Sequence, residues 1–127
     1  MVPDEQAEGM AKYLVLIYGN ERTWADLPAE WHAANAARHQ ALIASAGSAI
    51  LGVNELEPTT HAVSVRADAS GRPIVTEGPF HQTPEIVGGY YTLQAPDLDE
   101  AIRLASLIPE ATATHGGVEI RPIAAPA

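Results

Sequence analysis

Lys12 to Gly19 (KYLVLIYG) constrains the fold more than any other stretch of this chain. Successive side chains of a strand point to opposite faces, so Tyr13, Val15 and Ile17 share one side and Leu14, Leu16 and Tyr18 the other. Both sides are apolar, and both must be covered.

The elements that follow supply one of the two covers. After a polar loop over Asn20 to Asp26, Asp26 is placed to cap a helix with Pro28 in its first turn, and Gly47 is a natural stop, which predicts a helix over Leu27 to Ala46. Ser48 to Val53 reads as a short apolar strand. His61 to Ala67 sets Val63 and Val65 against Ser64 and Arg66, and the turn Asp68-Ala69-Ser70-Gly71 leads into Pro73 to Thr76, so a hairpin is expected. Glu77 to Gly89, punctuated by Gly78-Pro79, Pro84 and Gly88-Gly89, is the longest irregular stretch and a natural place for function. The glycine pair is suited to a bulge or a close backbone approach.

Tyr90 to Ala95 resumes as a strand. Asp97 and Glu100 approximate a capping box for a second helix, whose apolar stripe is Leu98, Ala101, Ile102, Ala105 and Ile108 and whose stop is Pro109. Val118 to Ile123 is the last strand and Ala124 to Ala127 a tail. This order is the split βαβ arrangement of ferredoxin-like α+β folds, with an extra hairpin. Two helices cover one sheet face only. The simplest cover for the other is the same sheet from a second subunit, so a homodimer is expected.

The chain has 127 residues and 46% apolar composition, enough for one core, read as a single domain over residues 10–127. Met1 to Gly9 is acidic and polar with nothing to pack, and reads as a disordered lead. It has neither the basic nor the apolar region of a signal peptide, and no apolar run approaches the roughly 18 residues of a membrane span, so the expected location is the cytoplasm, away from any membrane. The absence of cysteine excludes disulfides and thiolate chemistry. A net charge of −9, with seven scattered basic residues, disfavours a nucleic-acid partner.

Four segments, KYLVLIYG, TEGPF (Thr76 to Phe80), GGYYTLQAPDLDEAIRLASLIP (Gly88 to Pro109) and GGVEIRPI (Gly116 to Ile123), occur in an order and spacing that resemble the YCII-related family, in particular its branch named for a DGPF motif. The resemblance covers nearly all of Lys12 to Ile123. It implies a ferredoxin-like fold pairing into a dimeric α+β barrel, with a pocket between sheet and helices. Some of these bacterial relatives are enzymes performing acid–base or lyase-type dehydrochlorination on aromatic compounds; many others are uncharacterised and encoded beside extracytoplasmic-function sigma factors. This chain departs from the pattern twice: Glu77 stands where the branch has Asp, and Pro84 where relatives commonly carry a lysine.

Relatives also place a histidine on the first helix, for which His39 is the better candidate. On an ideal helix His32, Ala36, His39 and Ile43 share a stripe beside the core. A histidine there, near a carboxylate, is suited to general acid–base work; its structural alternative is a packed, hydrogen-bonded core residue. Glu77, aimed by the rigid Gly-Pro turn, is expected to pair with His39 as its orienter or as a second acid–base group, and its alternative is a solvated loop acid. Phe80, the single phenylalanine, is expected to anchor the loop by burial and to line the pocket behind that role. Tyr90 and Tyr91 point to opposite faces, so one at most lines a given cavity; Tyr90 and Tyr18 are taken with Phe80 as ligand contacts. No histidine spacing matches a metal motif, and neither a metal nor another cofactor is expected. The favoured function is therefore binding or acid–base processing of a small aromatic molecule in the barrel pocket. The rival is a non-enzymatic adaptor whose acidic surface meets a protein partner such as a sigma factor.

Overall fold

The computed structural model describes residues 9–126, so all of the expected lead except Gly9 lies outside the described residues. Strands β1 (Ala11–Asn20) and β2 (Ile50–Glu55) are followed by the hairpin strands β3 (Val63–Ala67) and β4 (Pro73–Glu77), then by β5 (Glu85–Ala95) and β6 (Gly116–Pro122). Helices α1 (Glu21–Asp26) and α2 (Ala29–Ala46) connect β1 to β2, and α3 (Leu98–Ala105) connects β5 to β6. The main sheet has the order β2-β5-β1-β6 with antiparallel neighbours throughout, and β3 and β4 pair separately. This is the expected α+β ferredoxin-like topology with its hairpin insertion. No helix among the described residues is long and apolar enough to cross a membrane.

The apolar first strand lies at the centre, bonded to β5 on one side and β6 on the other. Its register opposes Val15 to Tyr91 and Tyr13 to Leu93, and these residues, with Ile17, form the face that the helices bury. Leu42 of α2 and Leu104, Ala105 and Ile108 around the end of α3 complete this core. Full burial of a side chain such as Leu93 stabilises the fold by about 1.5–3 kcal/mol. Leu14, Leu16 and Tyr18 on the opposite face are half-buried.

Four local expectations are corrected. The segment read as a polar loop contains α1, whose first turn is capped by Asn20 Oδ1 accepting from Thr23 N at 3.1 Å. Asp26 therefore ends α1 and does not cap α2; Leu27 and Pro28 are extended between the helices, because the proline ring disfavours helical backbone in the residue before it. The irregular stretch is shorter than expected, since β5 begins at Glu85 and carries the glycine pair inside a central strand. On α3 the buried stripe is Ala101, Leu104, Ala105 and Ile108, while Leu98 and Ile102 are exposed. The Asp97 cap is present, its carboxylate accepting from Glu100 N at 2.9 Å.

Candidate functional site

Helix α2 turns Trp31, Asn35, His39 and Ile43 inward at successive intervals of four residues, each half-buried. His32 and Ala36, expected on that stripe, are exposed; the His32 ring N–H donates to the Trp24 carbonyl at 2.9 Å. The left-handed Gly47 ends the helix, with φ 56°, where a side chain would be strained.

Both ring nitrogens of His39 are engaged. Nε2 lies 2.8 Å from Glu110 Oε1 and Nδ1 lies 2.6 Å from the Tyr91 hydroxyl. A carboxylate only accepts, so Nε2 carries a proton, and in the neutral ring Nδ1 accepts from Tyr91. The Oε1 contact is an ion-pair approach without the direction of a good hydrogen bond. Glu110 Oε2 accepts a bond from Asn35 Nδ2 at 2.9 Å.

Three different elements converge here. Tyr91 is held by its place opposite Val15 in the sheet. Glu110 sits in the 3-10 turn Pro109–Thr112, which buried Ile108 and Pro109 pin beneath the sheet. Glu110 itself is 6% exposed. Burial pushes its carboxyl pKa up, but the close contact with His39, the bond from Asn35 and the His39 charge outweigh this and leave it below the ordinary value. Burial, and after it the Glu110 charge, push the Tyr91 hydroxyl up to about 12. At neutral pH the cluster holds a carboxylate, an imidazole and an un-ionised phenol in one chain of contacts.

The chain of contacts borders a cleft of about 850 Å³ between α1, α2, the end of β2 and β5, within the range of small-molecule sites. Ile17, Ile43, Val53 and Ile86 give it apolar walls, and Trp24 and Trp31 give it aromatic ones. Trp24 reaches its place because Gly19 and Gly88 lack side chains. A Cβ on Gly19 would stand 2.1 Å from Trp24 Cζ2, and one on Gly88 2.5 Å from Cζ3. Gly88 is also the residue passed over as the β1–β5 register slips between Ile17 opposite Gly89 and Tyr18 opposite Val87. It is a bulge residue with an indole lying against it. Helix α1 is tied across the cleft by Glu21, which accepts from Thr59 N at 2.7 Å and from the Thr59 hydroxyl.

Of the catalytic and ligand-contact candidates, His39 lies in the cleft wall, whereas Glu77, Phe80, Tyr90 and Tyr18 do not. Glu77 ends β4 opposite Val63, fully outside the cleft lining, so the pairing of His39 with Glu77 is corrected to His39 with Glu110. Phe80 is not a buried anchor: it is 54% exposed and lies beneath the Arg66 guanidinium, 3.6 Å from its ring centre. Tyr90 and Tyr18 are on the sheet face away from the helices, where Tyr90 accepts from Asn54 Nδ2 at 3.1 Å. Tyr91 takes the place expected for Tyr90. Glu110 carried one weak signal, an acid lodged directly after the apolar Ile108-Pro109 helix stop; nothing short of strand register distinguishes Tyr91 from Tyr90.

The family model described as YCII-related domain matches residues 11–125. An uncharacterised protein of Rhizobium meliloti (strain 1021) is 40% identical over 72 residues, which are 57% of this chain and 57% of that protein. The matched stretch thus spans little more than half the length of that relative.

Proposed function

Since the chain belongs to the YCII-related domain family, we propose that it binds a small aromatic molecule in the cleft beside His39 and moves a proton on it, with His39 as the acid–base group and Glu110 as its orienting and charge-balancing partner. The observation that carries this reading is the buried His39–Glu110 contact at 2.8 Å in the wall of a cleft that two tryptophans also line. A histidine held by a carboxylate on one nitrogen and a hydroxyl on the other is fixed in orientation, and the Tyr91 hydroxyl offers a route by which a proton leaves or reaches Nδ1. The reaction class closest to these parts is abstraction of a proton from the ligand, the proton passing to the imidazole.

The test is the titration of Glu110 by carbon-detected NMR. His39→Gln should raise its midpoint, because the His39 contact and charge that help overcome its burial are removed and only the Asn35 bond remains, whereas Glu77→Gln should leave it unchanged. A Glu110 midpoint indifferent to His39→Gln would remove the physical basis of the pair.

The sheet face that carries Leu14, Leu16, Tyr18 and Tyr90 is assigned in the same reading to a second copy of the chain, since an apolar central strand is costly to leave open on one side. Sedimentation at micromolar concentration should give a particle of about twice the 13.4 kDa chain mass; a monomer alone would refute the pairing. One observation favours the adaptor as a second reading: Val63, Val65 and Val75 share one face of the β3–β4 hairpin and are 56–68% exposed. Val65→Ser would then weaken capture of a protein partner such as a sigma factor while leaving the His39 cleft unaltered.

A further inference from the structure

The charge around the cleft is lopsided. Resting on the binding reading above, we propose that the ligand is a positively charged aromatic molecule, of the class of protonated arylalkylamines, and that aromatic carboxylates are rejected. Glu21, Glu55, Glu57 and Glu110 line the cleft against the single guanidinium of Arg22, and of the four Glu110 is paired with His39 inside the fold.

The other three carboxylates make no ion pair with a lysine or arginine among the described residues. Glu21 is bonded only to uncharged donors of Thr59, and Glu55 takes part in none of the ion pairs among the described residues. Glu57 meets His61 at 2.7 Å, an exposed contact that holds a full charge only when the ring is protonated. Glu110 is the exception: it is buried and already paired with His39 at 2.8 Å. An ammonium group entering here meets a negative field, whereas a carboxylate meets repulsion from the same groups.

The aromatic part of the assignment comes from the walls. Indole is the side chain most favourable to a cation over its face, and both tryptophans of the chain line this cleft. A flat ring carrying a short ammonium arm satisfies the indoles and the carboxylates together.

The same placement makes tryptophan emission a direct reporter, because Trp24 and Trp31 are its only sources. Three probes that share a phenyl ring and differ in charge separate the terms: 2-phenylethylamine, 2-phenylethanol and phenylacetate, each titrated into the full chain. The amine should bind about tenfold tighter than phenylacetate, with the alcohol between them, and added salt should weaken only the amine. The double variant Glu55→Gln, Glu57→Gln should narrow the amine–carboxylate gap while binding of the alcohol holds. Phenylacetate binding as tightly as the amine would overturn the charge assignment and leave the cleft reading standing. If none of the three perturbs tryptophan emission at millimolar concentration, the cleft reading itself fails and this inference with it.

Discussion

His39→Ala is expected to destabilise the protein by about 3 kcal/mol at pH 7 and by much less near pH 4. The His39 and Glu110 side chains are 18% and 8% exposed, so removing the imidazole strands a carboxylate inside the fold with Asn35 as its remaining partner. It also leaves the Tyr91 hydroxyl without its acceptor. The pH dependence follows from the direction of the Glu110 shift. In the intact protein its pKa is lowered, so its contribution is present above the ordinary carboxylate range and is lost as pH falls. In the variant, burial acts against weaker opposition and the pKa rises, so acidification relieves the stranded charge. Urea unfolding of both proteins at pH 7 and pH 4 should show the two stabilities converging; an equal loss at both would attribute the cost to packing alone. Glu77→Gln, an exposed change, should stay within about 0.5 kcal/mol at either pH.

Gly88→Ala is expected to cost about 2 kcal/mol, and the cost should vanish or change sign once Trp24 is also alanine. The added Cβ would lie 2.5 Å from Trp24 Cζ3 and 2.8 Å from Cη2, so the indole must leave its seat against the bulge. With that ring gone, alanine in a strand is favoured over glycine by roughly 0.5–1 kcal/mol, because less backbone entropy is lost on folding. A double-mutant cycle measured by denaturant unfolding isolates this coupling. A Gly88→Ala penalty that persists in the Trp24→Ala background would place the strain in the bulge backbone and not in the indole contact. Because Trp24 forms part of the cleft wall, the single variant should also lose ligand binding even where it remains folded.

The order of strands and helices was readable from the chain because it depends on local signals: the alternation in Tyr13 to Tyr18, the Asp97 cap, and the stops at Gly47 and Pro109. Errors arose where a local signal had a tertiary purpose. Gly88 and Gly89 read as a break in the chain, yet they lie inside a central strand, where the first supports a bulge and an indole and the second lies 3.0 Å, measured from a Cβ position, from the Asn54 carbonyl. Phe80 read as an anchor because large apolar residues are usually buried; it is instead held at the surface by Arg66. The polar Asn20 to Asp26 segment gave no periodicity long enough to reveal a six-residue helix.

By itself, the sequence determined the class of fold and the two-faced apolar character of KYLVLIYG, which follow from periodicity and end signals within single elements, and its resemblance to the YCII-related family singled out His39. The partner of that histidine was decided only by the tertiary structure. Glu110 is 71 residues away in sequence, and it reaches His39 because β5, α3 and the turn after α3 carry it beneath α2; strand register, not composition, chooses Tyr91 over Tyr90. Glu77, nearer in the chain and better placed in its motif, lies on a separate hairpin because β3 and β4 satisfy their hydrogen bonds with each other and never join the sheet that bears the cleft.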